Sequence, residues 1–69
     1  MKVSARNVLK GKVKSLVIGP VSAQVAIEIA PKIVISAVIT ADAAKELELK
    51  TGKVADAVIK ASGVIVGVD

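Results

Sequence analysis

The segment from Val21 to Thr40, VSAQVAIEIAPKIVISAVIT, decides the fold class. Its first part alternates, with Val21, Ala23, Val25, Ile27 and Ile29 set against Ser22, Gln24, Ala26 and Glu28. A period of two gives a strand one apolar face. Ala30-Pro31-Lys32 supplies a turn, because Pro has no N–H to give to a sheet ladder. Ile33 to Ile39 is then apolar everywhere except Ser36, so both faces of that strand need cover. One face belongs to the core, and a neighbouring subunit is expected against the other.

Toward the N-terminus, Gly19-Pro20 ends an earlier strand, Asn7 to Ile18, with Lys10, Lys12 and Lys14 on one face and Leu9, Gly11 and Val13 on the other. Toward the C-terminus, the spacing predicts a short helix over Thr40 to Leu49, with Asp42 as its N-cap. Gly52 offers the positive φ of a turn into a fourth strand, Lys53 to Ser62, and Gly63 bends the chain into a fifth, Val64 to Val68. Thirteen Val and eight Ile against four Leu favour pleated sheet throughout. The order β-β-β-α-β-β predicts an all-β fold, an OB-like five-stranded Greek-key barrel with one short helix between strands three and four. Sixty-nine residues allow one domain, 1–69, and no tandem repeat divides it.

Counting Gly, about 61% of the chain is apolar, against roughly 45–50% in ordinary domains. So small a monomer cannot hide that much, and subunit interfaces are the natural place for the surplus. Cys and His are both absent, which excludes thiolate and imidazole catalysis and the usual zinc and haem sites. Lack of disulfides points to a reducing cytoplasm rather than export. The longest uncharged stretch, Ser15 to Ile27, has thirteen residues with Pro20 inside it, short of the roughly 20 a membrane helix needs. The lysine-rich start has no apolar signal-peptide core.

A net charge of +4 invites a nucleic-acid reading, but nine of the ten cations are Lys and no aromatic residue is present to stack a base. Small anions fit the positive balance better. Glu28, Asp42, Glu46, Glu48, Asp56 and Asp69 are scattered, so no carboxylate pair is set up for acid–base work. The five Gly form no phosphate-binding loop. Two clusters stand out. Ser4-Ala5-Arg6-Asn7 holds the one Arg, whose rigid, permanently charged fork suits oxyanions, although on composition alone an N-terminal turn with a surface Arg is the simpler reading. Lys60-Ala61-Ser62 places a cation and a hydroxyl on one strand face, although a snorkelling Lys beside a turn Ser would look the same.

Ser4-Ala5-Arg6-Asn7, Val38-Ile39-Thr40 before the helix, Leu49-Lys50-Thr51-Gly52-Lys53-Val54 and Val58-Ile59-Lys60-Ala61-Ser62 together resemble the molbindins. These are small molybdate-binding proteins of the Mop family, formerly called molybdenum-pterin-binding proteins. The resemblance spans essentially the whole chain, as a single Mop domain over residues 1–69. The same unit occurs in molybdate-responsive transcription regulators and importer ATPase subunits, but with no residues left for DNA-binding or ATPase segments this chain is similar to the free-standing form. The resemblance implies an OB-like fold assembled as a homohexamer, a trimer of dimers, that holds molybdate or tungstate at subunit interfaces. Carried over by position, it implies oxyanion binding by Ser4, Arg6, Thr40, Lys60 and Ser62, with backbone donors near Ala5 and Ala61. Some relatives have Ser three residues after the Thr, where this chain has Ala43, so one side-chain donor is missing or replaced by main chain. The family's second type of site maps most simply onto the turn of Gly19, Val21 and Ser22.

Molybdate is a tetrahedral dianion with four acceptor oxygens, so its binder should offer donors and about two positive charges. Arg6 and Lys60 balance that charge, the hydroxyls donate, and no proton transfer or resident metal centre is needed, since the metal arrives as an oxyanion. Sulfate has the same charge in a smaller volume, so cavity size provides selectivity. The expected function is intracellular molybdenum storage and homeostasis, without enzymatic activity. A nucleic-acid-binding OB domain and a pure oligomerisation module are the alternatives. With no aromatic residue, there is no cradle for a pterin ring.

Overall fold

The computed structural model describes residues 2–69. Four strands, β1 (Asn7–Ile18), β2 (Ser22–Ala30), β3 (Ile33–Thr40) and β4 (Val54–Ile59), form one antiparallel sheet in the order β3-β2-β1-β4. A short helix, α1 (Ala41–Glu46), lies between β3 and β4, and a 3₁₀ turn, Ala61–Gly63, follows β4. The bounds of β1 match the sequence reading, β2 is shifted by one residue, and β3 starts as expected at Ile33 and runs one residue further.

The alternation expected in β2 is realised. Ala23, Val25 and Ile27 are buried, while Ser22 and Gln24 are exposed. Val13, Val25, Ile27 and Ala57 form the core, with Leu9, Leu16, Ile29, Ile35, Ile39, Leu49 and Ala55 packed around them. The core residues of β1 change parity between Val13 and Leu16, because the pairing with β2 slips between Val13 and Ser15. Lys14 is the extra residue of this bulge, which bends β1 and keeps the lysines outward while returning Leu16 to the interior. Gly11 serves the same curl. A Cβ there would fall on the Glu28 carbonyl oxygen and within 2.9 Å of the Ile27 side chain, so β1 and β2 approach closely only because the residue is Gly.

β3 presents Ile35, Ala37 and Ile39, all half-buried, to the interior and leaves Val34, Ser36 and Val38 exposed. Within one chain its outer apolar face has no cover, as its composition predicts.

Three expectations need correction. The helix is shorter than predicted and its N-cap is Thr40, not Asp42: the Thr40 Oγ1 accepts the Ala43 N–H at 3.0 Å. Asp42 falls inside the first turn, where its charge favours the helix dipole without capping it. At the other end the Lys53 Nζ donates to the carbonyls of Leu47 at 2.6 Å and Glu48 at 3.2 Å, closing the helix with a cation from beyond the loop. Second, β4 stops at Ile59 rather than Ser62, since the chain turns and Gly63 N–H bonds back to the Lys60 carbonyl at 2.8 Å. Third, Val64 to Val68 joins no ladder: Ile65, Val66 and Val68 are 95%, 85% and 93% exposed. The sheet therefore has four strands where five were expected. Strand-forming residues make a strand only when they pair, and Val64 to Val68 leaves the sheet edges of its own chain unpaired.

Gly52 has the expected positive φ, +92°. Between β3 and β4, the two sheet edges, lies an apolar cleft of about 530 Å³ bordered by Ile35, Ile39, Leu47, Leu49, Val58 and Ile59.

Candidate functional site

The two sequence clusters meet. β1 and β4 pair antiparallel from Lys12↔Val54 down to the last rung, Asn7↔Ile59. Arg6 immediately precedes that rung on one strand and Lys60 immediately follows it on the other. Paired Cα atoms across such a ladder are about 4.5–5.5 Å apart, so two long cationic side chains issue from adjacent backbone at one end of the sheet. The flanking residues Ser4, Ala5, Ala61 and Ser62 continue from the same place. All of these residues are exposed except Ala5, which is half-buried.

Neither cation is neutralised locally. Among the described residues the one ion pair is Lys14–Glu28, at 3.6 Å on the outer face of the sheet. Beyond β4 the 3₁₀ turn starts at Ala61, and the first N–H groups of such a turn have no acceptor within it. The corner thus combines two cations, two hydroxyls and outward main-chain donors without a carboxylate, an arrangement suited to an acceptor-only anion.

Thr40 lies elsewhere. It pairs with Ser22 across β2 and β3, beside the turn closed by Gly19 N–H to the Ser22 carbonyl at 2.8 Å. Val21 is held there by the Ala41 N–H, 2.8 Å from its carbonyl. Ser22 and Thr40 therefore belong with Gly19 and Val21 at the Ile18 end of β1, whereas Arg6 and Lys60 stand at the Asn7 end. Eleven residue steps separate those ends, about 36 Å of strand if it were straight. The structure brings Ser4, Ala5, Arg6, Lys60, Ala61 and Ser62 together in one chain but not Thr40. Nor can the Ala43 main chain replace a missing donor, because its N–H is already engaged by Thr40.

No group of three or more Asp or Glu residues converges on a metal site among the described residues. The lysines of β1 are interleaved with acids, Lys10 opposite Asp56 and Lys12 opposite Glu28, so no unbroken basic stripe forms. No helix among the described residues is long and apolar enough to cross a membrane. Two side chains have roles that the sequence does not reveal: Asn7, quoted above only as part of the Ser4–Asn7 cluster, whose Nδ2 donates to the Ile59 carbonyl at 3.2 Å, and the helix-closing Lys53. The Asn7 bond joins residues 52 apart in the chain and leaves no local signal.

The fold is an all-β module, a curled four-stranded antiparallel sheet with one short helix, and two cations leave one end of that sheet together. The family model for the TOBE domain matches residues 3–66. The chain belongs to this family and, within it, to the molbindins of the Mop type. It is 52% identical over 69 residues, the full length of both chains, to the probable molybdenum-pterin-binding protein of Haemophilus influenzae. MopII of Clostridium pasteurianum, in an apo form, superposes with a TM-score of 0.90 at 42% identity, covering 97% of this chain and 100% of that one. The cytoplasmic molybdate-binding protein ModG, with molybdate bound, gives a TM-score of 0.94 at 45% identity, over 100% of this chain and 49% of ModG.

Proposed function

We propose that this protein binds molybdate or tungstate between copies of itself, as a single Mop domain over residues 1–69, and serves cytoplasmic molybdenum storage and homeostasis. The reading rests above all on Arg6 and Lys60, two cations without a carboxylate partner that leave the last rung of β1 and β4 together. Relatives named for molybdenum or molybdate binding across the whole chain support it. Arg6 and Lys60 balance the dianion, while Ser4, Ser62 and the main chain near Ala5 and Ala61 donate to its oxygens. Charge-assisted hydrogen bonds contribute about 1.5–3 kcal/mol each, so four or five support micromolar or tighter binding after ordering costs. The protein acts by binding, without catalysis.

Thr40 joins the site from a second copy. That division follows from its position at the opposite end of β1, and assembly follows from the C-terminal segment. Val64 to Val68 is apolar and exposed, and the cleft between β3 and β4 is apolar and open. In the assembled protein, Val64 to Val68 of one copy lies along a sheet edge of another and supplies the fifth strand of the barrel. Burying a Val or Ile side chain contributes about 1.5–3 kcal/mol, so this segment alone favours association substantially. A homohexamer arranged as a trimer of dimers satisfies both requirements. The turn of Gly19, Val21 and Ser22, with its main chain fixed at both Gly19 and Val21, is the proposed place of a second type of site.

Titration calorimetry tests the function directly. The expected result is micromolar or tighter binding of molybdate and tungstate, with sulfate weaker by about a hundredfold, an energy difference of about 2.7 kcal/mol. Absence of heat with either metal oxyanion would overturn the proposal, and equal weak binding of sulfate, phosphate and molybdate would favour an assembly module.

A further inference from the structure

We propose that Asn7 is a positioning residue of the anion site, its carboxamide locking the Arg6 strand to the Lys60 strand at the end of their ladder; this rests on the oxyanion-binding function proposed above. Arg6 and Lys60 lie 54 positions apart in sequence and are neighbours only through the pairing of β1 with β4. That pairing ends at Asn7↔Ile59. The last rung of a ladder opens most readily, and opening here would separate the two cations.

Asn7 reinforces this rung with its side chain. Its Nδ2 donates to the Ile59 carbonyl at 3.2 Å, fixing the peptide that enters Lys60. The peptide leaving Lys60 is fixed as well, because its carbonyl accepts the Gly63 N–H at 2.8 Å. Lys60 is thereby held in an extended conformation, φ −66° and ψ 141°, between two anchored peptides. Asn7 is also bonded directly to Arg6 in the chain, so one carboxamide sets the spacing of both charges without touching the anion. An Asp at this position would present an oxygen to the Ile59 carbonyl and a negative charge to the site.

The test is molybdate calorimetry on the assembled full-length protein and its Asn7→Ala, Lys60→Ala and doubly substituted variants. Asn7→Ala is expected to weaken binding roughly three- to tenfold while the assembled mass is unchanged. In the Lys60→Ala background the same substitution should cost less than about twofold, since the cation it positions is gone. A purely structural Asn7 would give equal losses in both backgrounds, and that result, or an unchanged affinity for Asn7→Ala, overturns the inference. Should Asn7→Ala fail to assemble, Asn7→Val keeps a strand-favouring residue without the donor and is subject to the same comparison. If the unsubstituted protein binds no molybdate, the proposed function fails; if it binds and Asn7→Ala binds equally, only the positioning role fails.

Discussion

The two ends of β1 differ in chemistry. At the Asn7 end, two cations and two hydroxyls flank the last rung of a ladder, while at the Ile18 end a tight turn and Thr40 offer hydroxyls and main chain. The first end has the charge to hold a dianion but is open to solvent; the residues of the second, Gly19, Val21, Ser22 and Thr40, can add donors but carry no charge. In the proposed site each end is one half, contributed by a different copy, because the length of β1 separates the two within one chain. On the proposed reading, the difference makes oligomerisation part of the binding chemistry.

The largest expected effect comes from removing what joins the copies. Deletion of Val64 to Asp69 should yield smaller species by light scattering and abolish measurable molybdate binding. A truncated protein that stays assembled and binds normally would break the comparison. Next, Arg6→Ala should weaken molybdate binding tenfold or more, about 1.4 kcal/mol at least, with Arg6→Lys between the two because a point charge replaces the fork.

Thr40→Val sharpens the contrast, since it removes a cap and a donor together. The expectation is about 0.5–2 kcal/mol of stability lost in chemical unfolding and a several-fold loss of affinity. Arg6→Ala and Thr40→Val subunits, unfolded and reassembled together, should recover a share of tight sites, because Arg6 of one variant then meets Thr40 of the other. No recovery in calorimetry would place both residues in the same copy. The smallest effect is expected midway along β1. Lys14→Ala breaks a solvent-exposed ion pair with Glu28 and should change stability by less than about 0.5 kcal/mol, leaving molybdate affinity unaltered.

Much of the sheet was legible because its strands carry their own punctuation. Gly19-Pro20 and Pro31-Lys32 bound β2, and its alternation identifies the buried face. The bulge at Lys14 left a trace in the shift from odd apolar positions, Leu9 and Val13, to the even Leu16, although that shift names no partner strand. The end of β4 is less legible, because the alternation of Val58, Lys60 and Ser62 continues past it; the turn beyond Ile59 depends on a Gly63 bond that composition does not encode. For the same reason Asp42, an adequate capping residue by type, lost its place to Thr40, whose hydroxyl lies where the Ala43 N–H points.

By itself the sequence determined the materials: β-branched strands, a surplus of apolar surface, one Arg among lysines, hydroxyls beside the cations, and neither Cys nor His. These follow from residue type and local spacing, which act over a few residues. Tertiary structure alone decided that Arg6 and Lys60 become neighbours, that Thr40 is carried to the other end of β1, and that Val64 to Val68 pairs with neither edge of its own sheet. Those outcomes depend on strand register and on the bend at Gly11 and Lys14, long-range pairings whose energy is realised only when distant segments close on one another.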